Sequence, residues 1–189
     1  MKKFPLLLAI LGLLAVTCSA EKIDLGAGRT LHLVLPEAWI NAEPAAGPPD
    51  LPAMGKTVRY VTKNGSNDAV LITIVTVPDD RFNDPENLKA LVEETTQQFV
   101  SGSVEGKAEL KEFRLGGRPG ISVTFTDAEL VGKPSSKDNY KALTICFVYL
   151  GEHLMLTATV FSDDVAGKAY AEGMRILKSL TLELPKNTL

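Results

Sequence analysis

This chain of 189 residues contains only two cysteines, two histidines and one tryptophan. That scarcity excludes several kinds of chemistry. Cys18 lies inside an expected export leader, which would leave Cys146 alone in the mature chain. A single cysteine supports neither an intramolecular disulfide framework nor a thiolate zinc cluster. Cys146 itself falls within Leu143-Thr144-Ile145-Cys146-Phe147-Val148, which reads as the buried run of a strand. A reactive thiol needs exposure and basic neighbours, and that run supplies neither. The histidines are as uninformative. His32 alternates with Leu31 and Leu33 and is expected at a surface or sheet edge, and His153 follows Gly151-Glu152 in an expected hairpin turn.

Positive charge is also lacking. The formal net charge is −3 and becomes −5 when Lys2 and Lys3 leave with the leader. With no basic stripe, nucleic acid and anionic membrane are poor partners on electrostatic grounds. Catalytic motifs are missing too: there is no Gly-x-Ser-x-Gly elbow, no His-Glu-x-x-His and no Cys-x-x-Cys. Asp79, Asp80, Asp84 and Glu86 gather before an expected helix, but their order does not match a calcium-binding loop. Asp163 and Asp164 have a sufficient reason at the positive end of a second helix. Gly116, Gly117 and Gly120 surround Pro119 without introducing a helix, so they make no phosphate cradle. No catalytic, cofactor-binding or metal-binding residues are assigned, no cofactor is expected, and the protein is read as not an enzyme.

What is present is informative about compartment. Lys2 and Lys3 precede the apolar run Leu6–Val16, and Cys18-Ser19-Ala20 then places small residues before Glu21. This pattern reads as a signal peptide, residues 1–20, with the mature chain 21–189 exported to the periplasm or secreted. The run is shorter than a bilayer span. The competing reading is a lipoprotein anchored to the membrane through Cys18, against which Thr17 is bulky for the residue before a lipidated cysteine.

The 169 residues that follow suffice for one domain with its own core. Alternating apolar positions around Gly26-Ala27-Gly28 predict a hairpin ending at Pro36. Residues 41–56 hold four prolines and read as a loop. Strands are predicted over 57–63 and 69–77, turning near Asn64-Gly65. Leu88, Leu91, Val92, Thr95 and Phe99 share one helical face over 85–101, with Asp84 as N-cap and Pro85 in the first turn. Strands are predicted over 108–115 and 119–127, then a polar loop over 128–138. The hairpin 139–150/153–161 follows, its first strand apolar on both faces and therefore internal. A last helix is predicted over 163–180, capped by Ser162, with a buried stripe of Val165, Ala166, Ala169, Gly173, Ile176, Leu177 and Leu180. Short turns between strands predict an α+β domain: an antiparallel β-sheet covered by helices.

The pattern resembles the PsbP-like superfamily, named for an extrinsic subunit of photosystem II. The superfamily also holds a Ran-binding nuclear import factor and many small exported bacterial proteins. The resemblance rests on Leu33-Val34-Leu35-Pro36-Glu37-Ala38-Trp39, on the late hairpin 140–161 and on the ending Ile176-Leu177-Lys178-Ser179-Leu180. It implies a single PsbP-like α/β/α sandwich over the mature chain. It carries over no functional residue, because members of that fold do unrelated jobs.

The expected function is a non-catalytic, exported protein-binding or scaffold domain of the bacterial cell envelope, using the loops 41–56 and 128–138. The partner is an envelope protein. A membrane is a partner only if Cys18 is lipidated, and the oligomeric state is open. The alternatives are a carrier or sensor of a lipid or other apolar small molecule, and an enzyme of unrecognised type. The processing reading has a direct check. Intact mass of the exported protein should begin at Glu21; a diacylated Cys18 as first residue would contradict it.

Overall fold

The computed structural model describes residues 18–43, 55–136 and 139–185. β1 (Cys18–Gly26) and β2 (Arg29–Pro36) form the first hairpin. Its turn is tight because Gly26, Ala27 and Gly28 all take positive φ, and Asp24 Oδ1 accepts a hydrogen bond from the Gly26 N–H at 2.8 Å. β3 (Trp39–Ala42), β4 (Lys56–Thr62) and β5 (Ala69–Thr76) follow. The 16-residue helix α1 (Pro85–Val100) comes next, then β6 (Lys111–Leu115), β7 (Arg118–Thr126), β8 (Ala142–Gly151) and β9 (Leu154–Ser162). Helix α2 (Lys168–Lys178) and the short β10 (Thr181–Glu183) close the described chain.

The strands make two sheets where the turn pattern predicts one. A seven-stranded antiparallel sheet runs β3-β4-β5-β9-β8-β7-β6, and a three-stranded sheet runs β1-β2-β10. Pro36 at the end of β2 cannot donate to a ladder, so the chain leaves the small sheet there and enters the large one at Trp39. β10 was not expected. It pairs antiparallel with β2, setting Leu182 beside Leu31. The expected loop 41–56 also changes at both ends: Asn41 and Ala42 extend β3, and Lys56 opens β4. Residues 44–54 of that stretch, and 137–138 of the later loop, lie outside the described residues.

Both faces of the large sheet carry a core. Ile145, Phe147 and Tyr149 of β8 point to the α1 side with Leu88, Val92, Val123 and Phe125. Cys146, Val148 and Leu150 point the other way, towards Ile176, Leu177 and the small sheet's Leu31 and Leu33. β8 is thus buried on both faces, as its double apolar pattern predicts. Burial pushes the Cys146 thiol up to about 12, which makes it an inert core side chain.

The helices follow their sequence signals in part. Asp84 caps α1 by accepting the Glu86 N–H at 2.8 Å, and Pro85 occupies its first turn. The buried line is Leu88, Val92 and Thr96, with Thr95 exposed. Thr96 is buried in spite of its hydroxyl because Oγ1 donates to the Val92 carbonyl at 2.6 Å. α2 starts at Lys168, five residues after the expected Asp163. Ser162 Oγ accepts the Asp164 N–H at 3.1 Å while donating to Asp68 Oδ1 at 2.6 Å, and Asp164 Oδ1 accepts from the Ala166 N–H at 2.9 Å, so the capping turn lies ahead of the helix. Val165 is therefore exposed and Ala166 is not part of the buried stripe. Gly173 is part of it: a Cβ there would lie 3.0 Å from Val160 Cγ1, so its absence lets α2 rest directly on the sheet.

Trp39 is 2% exposed and sits under α2, donating from Nε1 to Glu172 Oε2 at 3.0 Å. It ties the edge strand β3 to the helix through both packing and a hydrogen bond. Trp39→Ala should cost about 3–5 kcal/mol in denaturant unfolding. An unchanged midpoint would show that the ring does not anchor this edge.

Candidate functional site

α1 packs mainly over β7 and β8 and leaves the last strand, β6, less covered. A cleft of about 520 Å³ opens there, between the first turn of α1, the preceding single 3-10 turn Arg81–Asn83, and strands β6 and β7. Phe82, Leu88 and Ile121 give it an apolar floor continuous with the α1-side core. Lys89 and Glu86 on the helix and Glu112 and Arg114 on β6 form a rim of balanced charge. Lys89 Nζ lies 3.6 Å from Glu86 Oε1, and Arg114 donates to the Gly117 carbonyl at 3.1 Å. The lining holds no serine, threonine, cysteine or histidine; its ionisable groups are Glu86, Lys89, Glu112 and Arg114. An apolar floor with a neutral charged rim suits an amphipathic binding partner more than a small anion.

Of the residues singled out in the sequence as candidate sites, Glu86, Pro119 and Gly120 line this cleft and the others lie elsewhere. His32 is half-exposed on the small sheet, 2.7 Å from Glu183 Oε2. Asp79 accepts the Arg81 N–H at 3.0 Å, Asp84 caps α1, and Glu86 pairs with Lys89, so each carboxylate of that group has a separate local use. Gly116 and Gly117 form the two-residue turn between β6 and β7, with φ 55° and 84°. Gly120 lies under the Phe113 ring, whose Cζ would be 2.7 Å from an added Cβ. Asp163 receives Asn67 Nδ2 at 3.1 Å, and the same amide donates to the Ser136 carbonyl at 2.6 Å, pinning the later loop to the β4–β5 turn.

One constellation was missed. Tyr149 donates its hydroxyl to Asp80 Oδ1, and the His153 backbone N–H donates to the Tyr149 oxygen at 3.1 Å. His153 Nδ1 lies 3.7 Å from Asp80 Oδ1, and the Val77 N–H donates to the His153 carbonyl at 2.8 Å. The hydrogen bond from Tyr149 holds Asp80 below the usual carboxylate range, while burial and then Asp80 push Tyr149 up. The arrangement clasps the β8–β9 turn to Asp80 and Val77. Glu152 and His153 both take positive φ, 51° and 60°, a two-residue turn that favours asparagine and glycine. The clasp also fixes Asp80 at the entry of the 3-10 turn that carries Phe82 into the cleft. Sequence offered only the adjacent pair Gly151-Glu152 as a turn signal, since the meeting of Asp80 with Tyr149 joins residues far apart in the chain.

These elements define a PsbP-like α+β sandwich. The solution structure of cyanobacterial PsbP (CyanoP) from Synechocystis sp. PCC 6803 matches with a TM-score of 0.55 at 11% identity, over 94% of this chain and 99% of that one. The crystal structure of the Ran-binding protein Mog1p of Saccharomyces cerevisiae gives a TM-score of 0.47 at 15% identity, over 87% of this chain and 96% of its own. No protein-family model and no curated protein matches the sequence. At these identities the likeness defines the fold alone.

The positive φ angles of Glu152 and His153 predict a stabilised variant. Glu152→Asn with His153→Gly keeps the backbone donor to Tyr149 and removes two strained φ angles. It should raise stability by roughly 1 kcal/mol, measured by thermal or denaturant unfolding. A loss of stability would show that the His153 ring, opposite Asp80, holds the turn.

Proposed function

We propose that this protein is a non-catalytic binding domain exported to the cell envelope, and that it engages an envelope protein through the cleft between α1 and β6. The observation that carries the reading is the cleft itself: an apolar floor of Phe82, Leu88 and Ile121 under a charge-balanced rim. Protein surfaces of this kind take an apolar side chain in the floor and polar groups at the rim. The leader-like residues 1–20 support an envelope address, and cleavage after Ala20 would shorten β1 by Cys18, Ser19 and Ala20, which pair with β2. The proline-rich stretch 44–52 and the polar stretch 133–138 remain part of the reading as candidate secondary contacts.

A photo-crosslinking amino acid placed at Asn83 or Lys89, both lining the cleft, should yield one and the same envelope-protein adduct in living cells. The same probe at Val104, exposed beside Thr126 at the other end of β7, should not. Equal adducts from all three positions, or none, would contradict the reading. A lipid or other small organic adduct from the cleft positions would replace it with a carrier function.

A further inference from the structure

β6 is the outer strand of the large sheet, and no other strand among the described residues covers its free side. The identity of its unpaired backbone groups follows from the turn. Leu115 and Arg118 flank a two-residue turn, so they form a hydrogen-bonded pair, and pairs alternate from there. Phe113↔Gly120 and Lys111↔Ser122 are then hydrogen-bonded, and Arg114↔Pro119 and Glu112↔Ile121 are not. Pro119, which has no N–H, falls at a position that offers none to β6. Glu112 and Arg114 therefore turn their N–H and C=O groups outwards. Both residues are exposed, and their side chains share the α1 face with Ile121. Phe113 points to the opposite face, half-buried across Gly120.

We propose that β6 pairs antiparallel with β6 of a second copy of this chain about a two-fold axis at Phe113, joining two seven-stranded sheets. The charges select this register. Centring the axis at Phe113 sets Glu112 opposite Arg114 of the second copy, twice, in hydrogen-bonded pairs that use all the outward N–H and C=O groups of the two residues. Centring it at Glu112 or at Arg114 would set like charges against each other, which destabilises cross-strand pairs. The two Phe113 side chains then face each other in a pair without hydrogen bonds, where side chains approach most closely. A two-fold axis makes the patch self-complementary, as an isologous dimer requires. A mixed-charge edge of five residues resists indiscriminate strand addition, so the contact is selective and weak. It shares Glu112 and Arg114 with the cleft rim, and its test reads self-association rather than what the cleft binds.

Sedimentation velocity of the chain as isolated from expressing cells, over a series reaching millimolar concentration, reads the result. Wild type should shift from monomer to dimer. Glu112→Arg alone and Arg114→Glu alone should each raise the dissociation constant about tenfold or more. The double variant should restore the dimer by exchanging the partners. Both positions are exposed, and circular-dichroism melts check that each variant is folded. A wild type that stays monomeric throughout would overturn the proposal. So would a dimer indifferent to the single reversals, a double variant that fails to recover, or a β6 edge occupied by an extended segment of another protein.

Discussion

The structure depends on one constraint: β8 is apolar on both faces and must be covered on both. Ile145, Phe147 and Tyr149 require a layer on one side, and Cys146, Val148 and Leu150 require one on the other. α1 supplies the first. The second is shared by α2 and the three-stranded sheet, since Leu31, Leu33 and Leu35 join Ile176, Leu177 and Leu180 in a single core. Each device that holds α2 down serves this demand. Gly173 permits close approach, Trp39 bonds to Glu172, and β10 ties the chain after the helix back to β2.

Coverage runs out at β6, and both functional readings arise from that shortfall. Because α1 lies over β7 and β8, the floor residues Phe82, Leu88 and Ile121 remain reachable beside its first turn. Because β6 ends the sheet, Glu112 and Arg114 present free backbone groups at the same place. The Tyr149–Asp80 clasp belongs to this corner as well. It ties the tip of the central hairpin to the 3-10 turn that delivers Phe82.

Much of this was legible from the residues. The alternation in β2, the β-branched run of β5, the double apolar pattern of β8, the Asp84-Pro85 start of α1 and the turn glycines Gly116 and Gly117 each act locally, and each predicted its element. The failures are tertiary in origin. The sheet buries the line Leu88, Val92 and Thr96 rather than the one through Thr95, and the Thr96 hydroxyl is satisfied by the Val92 carbonyl. Ser162 and Asp163 looked like a helix start, but Asp68 and Asn67 from a distant turn claim their side chains. β10 has three residues and forms only because β2 offers it an edge. The cleft joins residues from 82 to 121, and no local signal marks that meeting.

The claim that the β6 edge is open, with a definite parity, has a direct test in amide hydrogen exchange at high dilution. The account predicts fast exchange at Glu112 and Arg114 and slow exchange at Phe113, whose N–H bonds to β7. Uniform protection along Lys111–Leu115, or slow exchange at Glu112 and Arg114 with fast exchange at Phe113, would contradict it.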